Sequence, residues 1–320
     1  MKPKKKIRFG RLSIALILFM GVFFAGDNLR RQVVIPDSKI VVEGDFKENV
    51  TGAASSEENT ASLAAAAVTE TQPASAENVG FLQINLTNTD ISRGILTPAV
   101  EGKPLECLDS NKMVALADVM NDCYSLYSED IQLNSDAAEA LNLMMNDYNV
   151  ATGLSDFVVY GTDSGDNSAG TVCPIKFAES SLGTTVDLAI TGSAGNIIDY
   201  DGADEEGWVI ENCAKYGFIV RYPSGKSEKT GTAYCPWHLR YVGAANAQMM
   251  LQKGLCLEEY LDFLKSYSYD SPLEIELEGS DEVVYYVAAS GDSTSAYVPI
   301  SGGYTVSGNN GDGFIVTSFK

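Results

Sequence analysis

The chain has 320 residues, 45% of them apolar and 9% aromatic, enough for one sizeable core with a smaller element beside it. Its formal net charge is −21; residues 1–31 carry eight Lys or Arg against the single acid Asp27, so the rest of the chain holds −28. A body so acidic repels polyanions, which excludes a nucleic-acid partner, and the single histidine, His238, excludes any mechanism within one chain that needs two imidazoles.

The basic stretch Lys2 to Arg11 precedes an apolar run from Leu12 to Gly26. Such a run partitions into a bilayer with its basic flank kept inside. It is shorter than the roughly 20 residues of a spanning helix, though counting from Ile7 brings it close. No small-x-small cleavage site follows, and Arg30 and Arg31 lie just beyond. Residues 1–31 therefore read as a cytoplasmic basic tail and signal-anchor, single-pass in the cell membrane, with an extracytoplasmic body; cleavage would make the body secreted. The six cysteines of an exported body permit disulfides without indicating a pairing. Residues 32–79 read as an extracytoplasmic linker. From residue 51 it is low in complexity, lacks aromatics and is rich in Ala, Ser, Thr and Glu, so it buries too little apolar area to offset its ordering entropy.

Phe81–Leu86 alternates with period two, as a strand does. Met113, Leu116, Ala117, Met120, Tyr124 and Tyr127 fall on one helical face, and Leu141, Met144, Met145 and Tyr148 form the stripe of a second helix, with Asp136 and Glu139 as its capping box. Phe157–Tyr160 and Val186–Ile190 read as strands. A helix over Glu205–Tyr216 ends at Gly217, the strand Phe218–Tyr222 follows, and residues 244–266 are helical with a break at Gly254. From Ser268 the texture changes to β-rich runs at Leu273–Leu277, Val283–Ala288, Ala296–Ile300 and Phe314–Thr317, separated by Gly, Ser, Asn and Asp turns. The expected fold is α+β: a small central antiparallel sheet flanked by helices over residues 80–267, with a C-terminal β appendage over 268–320.

The stretch from Lys215 to Gly243, KYGFIVRYPSGKSEKTGTAYCPWHLRYVG, resembles the VanY-like zinc D-alanyl-D-alanine carboxypeptidases, whose pattern here is approximately YGFxxRYPxGK…TGxxxEPWHxRYVG. Upstream, Ala178–Leu188 resembles the family's SEHxxGxAxDL segment, and Val158–Ser164 sits where the family has a strand followed by GYRS. The resemblance implies a zinc held by a His and an Asp seven residues apart and by the His after Trp, a Glu three residues before that last His as general base, and an Arg stabilising the developing oxyanion. Here those positions hold Ser180, Asp187, His238, Cys235 and Asp163 in turn.

Asp187 and His238 thus read as remnant metal ligands. A serine hydroxyl is a poor zinc donor at neutral pH, and a thiol is too short to replace the glutamate. Cys235 leaves alternatives open: a nucleophile beside His238, a thiolate donor in a new metal site with Asp187 and His238, a disulfide to Cys173, or a buried inert thiol. Arg221, Tyr222, Trp208 and Trp237 read as fold-keeping, as does Arg240, for which a contact to a peptide carboxylate also stands. The expected function is a membrane-tethered carboxypeptidase-like protein of a bacterial cell envelope, catalytically inactive, without cofactor, binding peptidoglycan stem peptide or an envelope protein. The alternative is an active metallo-carboxypeptidase that cleaves D-Ala-D-Ala with zinc in a non-standard site.

Overall fold

The alternation in Phe81–Thr87 does form a strand, β1, with Ile84 and Leu86 buried and the residues between them exposed. The computed structural model describes residues 80–106, 112–160, 178–202 and 207–319, so the basic tail, the apolar run and the linker expected over residues 1–79 lie outside it. No helix among the described residues is long and apolar enough to cross a membrane.

The helical face expected from Met113 to Tyr127 is not a helix. It is the strand β2 (Met113–Ala115), one helical turn (Leu116–Val119) and the two-residue strand β3 (Ser125–Leu126). β2 pairs instead with β4 (Gln132–Asn134). Asn142 supplies the physical reason for the stop after Val119: its amide donates to Val119 O at 2.8 Å and its side-chain carbonyl accepts from Asn121 N at 3.2 Å. Those backbone groups would otherwise have been satisfied by continuing the helix.

The second predicted helix is α1 (Ser135–Thr152), and all four residues of its stripe are buried. Its cap is Asn134, whose side chain accepts from Asp136 N at 2.9 Å, rather than the expected Asp136–Glu139 box. α1 packs on the central sheet, formed by β3, β5 (Phe157–Tyr160), β6 (Thr185–Thr191), β7 (Ile197–Asp199), β8 (Phe218–Tyr222) and β9 (Cys235–Tyr241). The strand order is β3-β5-β6-β9-β8 with β7 also on β6, and every pairing except β3 with β5 is antiparallel. The segment expected as one helix up to Gly217 is α2 (Gly207–Asn212) followed by a 3-10 turn, Cys213–Tyr216, and Gly217 closes it in the left-handed region at φ 85°. The break at Gly254 separates α3 (Ala244–Lys253) from α4 (Leu257–Leu264).

Five strands follow: β10 (Leu273–Leu277), β11 (Ser280–Ala288), β12 (Ser293–Pro299), β13 (Tyr304–Gly308) and β14 (Gly313–Phe319). β13, unmarked by any apolar run, joins an antiparallel sheet in the order β10-β11-β14-β13. One face of that sheet, with Val284 and Ile315, packs on α3 and α4; the other, with Tyr285, Phe314 and Val316, packs on Ile84 and Leu86 of β1. β12 pairs with β1 along its whole length, from Phe81↔Pro299 to Thr87↔Ser293. The C-terminal β segment is thus bonded to the residues that open the domain. Loop 94–98 adds to this: Leu96 N donates to Ser307 Oγ at 2.9 Å, and Thr97 Oγ1 donates to Gly308 O at 2.8 Å.

The crossing of β13 over the first loop leaves no room at Gly308, where an added Cβ would stand 2.2 Å from Ile91 O. The obstacle is backbone and cannot swing aside, so Gly308→Ala is expected to destabilise the fold by about 1–3 kcal/mol. A denaturant midpoint unchanged from wild type would show that the two segments are not in contact.

Candidate functional site

β6 and β9 are neighbours, and their register sets Asp187 opposite His238. The side chains meet there: His238 Nδ1 and Asp187 Oδ1 are 2.6 Å apart, and both residues are buried. The Tyr222 ring stacks on the imidazole with centroids 5.5 Å apart and planes 13° from parallel. Between β8 and β9 the register shifts: Val220 faces Leu239, but Tyr222 faces Cys235. This bulge breaks the strand alternation across Pro236–His238, as bulges beside functional sites do.

Beneath this pair lies an ion cluster that pattern reading did not single out. Glu179, in the 3-10 turn Ala178–Leu182, is fully buried and accepts from Arg221 Nε at 2.8 Å and Arg221 Nη2 at 2.9 Å. Arg240 Nη1 stands 2.6 Å from Glu179 Oε2, and Ala99 N donates to Glu179 Oε1 at 3.0 Å. Arg221 also reaches Glu258 at 2.6 Å and 3.1 Å, near the start of α4. Burial works against the Glu179 charge, but the guanidinium groups of Arg240 and Arg221 outweigh it and hold the carboxyl well below the usual carboxylate range. The signal in the sequence was an acid just before Ser180, together with two arginines in the matched stretch.

The structure brings Asp187 and His238 together and sets Cys235 on the same strand as His238. Cys235 carries a free, buried thiol that donates to Ala233 O at 3.4 Å. Burial, and then the nearby Asp187 charge, push this thiol above its ordinary pKa, so it is protonated at neutral pH. Arg240 is fully buried, and its Nη2 donates to Ile95 O at 2.9 Å and Thr97 O at 2.7 Å. Its guanidinium is committed to the scaffold and not presented to a peptide carboxylate. Ser180 lies in the 3-10 turn that Glu179 anchors, while Asp163 and Cys173 fall outside the described residues. Trp208 packs against Tyr148 and Tyr216, and Trp237 against Tyr222 and Cys235, in keeping with fold-supporting roles.

The donor chemistry does not fit a catalytic zinc. Such a site takes three protein ligands and leaves one position for water. Here two candidate donors are bonded to each other and a serine holds the third position. Among the described residues no group of three His, Cys, Asp or Glu is placed to hold a metal ion.

Helices against a largely antiparallel sheet, with an Asp–His pair across its central strands, make a mixed α/β scaffold. Residues 174–244 match the family described as VanY, D-alanyl-D-alanine carboxypeptidase. It is 33% identical over 205 residues to a D-alanyl-D-alanine carboxypeptidase of Enterococcus faecium, covering 61% of this chain and 64% of the relative. It is 44% identical over 85 residues to a D-alanyl-D-alanine carboxypeptidase of Enterococcus faecalis (strain ATCC 700802 / V583), covering 27% of this chain and 30% of that relative. The chain therefore spans less than two thirds of the length of either. A solved structure of the vancomycin-resistance D,D-dipeptidase VanXYg, in complex with a D-Ala-D-Ala phosphinate analogue, superposes with a TM-score of 0.62 at 26% identity, covering 75% of this chain and 100% of that one.

Glu179→Gln leaves two arginines buried with less than their counter-charge and is expected to destabilise the protein by about 3–5 kcal/mol. The folded pKa of Glu179 lies below its unfolded value, so this contribution is complete above the ordinary carboxylate range, about pH 4, and is lost as pH falls further. Thermal melts of the two proteins should therefore converge on acidification; a constant gap would mean that the residue acts by shape alone. For Cys235, iodoacetamide followed by peptide mapping should find the thiol unlabelled at neutral pH in the native protein and labelled after denaturation. Fast native labelling would contradict its raised pKa.

Proposed function

We propose that the protein is a membrane-tethered, extracytoplasmic pseudopeptidase of the cell envelope, which holds D-alanine-terminated stem peptide on a carboxypeptidase scaffold without cleaving it. The observation that carries this reading is the intact Asp187–His238 pair with a serine and a protonated thiol at the other two family positions. A hydroxyl cannot complete the metal set at neutral pH, and a thiol above its ordinary pKa does not take a proton from water. Losing a general base alone typically costs about 10²–10⁴-fold in rate. The scaffold around the pair is retained: Tyr222 still stacks on the imidazole, and Glu179 still fixes the turn that carries Ser180. The stem-peptide ligand is suggested by the relatives' names and by the D-Ala-D-Ala analogue in the related structure. The tether rests on the basic and apolar pattern of residues 1–31.

The full chain should purify without stoichiometric zinc and release no D-alanine from a peptide ending in D-Ala-D-Ala. The double variant Ser180→His, Cys235→Glu should acquire one zinc per chain. Wild-type protein with one tightly held zinc and measurable D-alanine release would instead establish the active metallo-carboxypeptidase. The same peptide should alter tryptophan fluorescence through Trp237, beside His238; silence at millimolar peptide would leave the cleft without its proposed ligand.

A further inference from the structure

A cavity of about 190 Å³ lies where the end of β9 and the start of α3 meet the C-terminal sheet. Its walls include Glu282, Thr305, Thr317, Tyr241 and Phe319, with Asp136 beside them. The strand register explains how these polar groups come together. Val284 pairs with Thr317, Glu282 with Phe319, and Thr305 with Thr317, so Glu282, Thr305, Thr317 and Phe319 stand together on the inward face of the C-terminal sheet. Farther along that face the neighbours are Val284, Ile315 and Ile275, packed on α3 and α4.

A carboxylate at such a position is costly unless something pairs with it. Glu282 is only 7% exposed, and among the described residues its carboxylate accepts no hydrogen bond and meets no cation. Burial alone raises its pKa to about 7. The groups around it offer no counter-charge. Tyr260, which feels the Glu282 charge, gives its own hydroxyl to Asn246 at 2.8 Å, and Asp136 is an acid shared with Lys112 at 3.5 Å. Among the described residues no Lys or Arg lines the cavity.

We propose that this cavity binds a small organic ammonium group, seated against Glu282 with the hydroxyls of Thr305 and Thr317 and the rings of Tyr241 and Phe319 around it. An ammonium offers three donors, which a carboxylate and two hydroxyls accept, and aromatic faces attract a cation that a simple hydrated ion would not share with them. The volume, about 190 Å³, readily admits a small amino acid. The ammonium has two possible sources: a free amino acid, or the amino end of a longer side chain. The first turn of α3 separates them. Gly243 and Ala244 also line the cavity, and no side chain caps this helix start, so the positive end of the helix dipole suits the carboxylate of a free amino acid.

The test is calorimetric titration of the full chain at about pH 8, where Glu282 is ionised, with ethylammonium, alanine and N-acetylalanine. Ethylammonium and alanine should bind once per chain, and N-acetylalanine, which lacks the cation, should not. Alanine at least about tenfold tighter than ethylammonium identifies a free amino acid; equal affinities identify an amino end, and both outcomes support the site. Glu282→Gln should weaken ethylammonium at least about tenfold, and so should lowering the pH of the wild-type titration to about 5, which requires no variant to fold. The absence of binding by both amines overturns the proposal. So does binding indifferent to Glu282→Gln and to pH, or saturation by potassium or calcium with no response to ethylammonium.

Discussion

Two guanidinium groups closed around one carboxylate, all three withdrawn from water, hold the candidate site in place. Glu179 joins the 3-10 turn before β6 to Arg221 on β8, Arg240 on β9 and the loop at Ala99, and Arg221 carries the link on to Glu258 of α4. Such a cluster need not add net stability over an apolar packing of equal volume, because desolvating three charges consumes most of the Coulombic gain. Its effect is directional. Planar guanidinium groups accept few geometries, so each element joined here has one orientation against the others.

On this frame the pair Asp187–His238 stands where two central strands bring it, buried and stacked beneath Tyr222. The residues that would turn such a pair into a hydrolytic centre are single side chains, and they can change without disturbing the sheet. Ser180 and Cys235 are of that kind: the first sits in a turn fixed by its neighbour Glu179, and the second is a small buried thiol bonded to a backbone carbonyl. The support of a site and its chemistry reside in different residues, so likeness to a family and activity are separate statements.

The same separation marks the C-terminal sheet. Its outer face closes on β1, and β12 pairs with the strand that opens the domain, so the chain's last strands hold its first in place. Its inner face packs apolar residues on α3 and α4, except at the end where Glu282 stands among threonines. A polar end on an otherwise dry face is the kind of local inconsistency that accompanies function more often than folding.

Much of the scaffold was readable because its signals are local. The stripe Leu141, Met144, Met145 and Tyr148 determines α1, the left-handed glycines Gly217 and Gly254 end helical segments, and the substitutions at Ser180 and Cys235 are visible by residue type. Tertiary structure decided the rest. The Met113–Tyr127 face has helical spacing, but β4 and the Asn142 side chain satisfy its backbone groups in another way. The cap of α1 moved to Asn134, and β13, which has no apolar run, is held between its hairpin partner β14 and the first loop, which lies far away in the chain. Glu179 and Glu282 are both acids in the sequence. Only the fold surrounds one with two arginines and leaves the other without a cation among the described residues, because counter-charge depends on what is near in space.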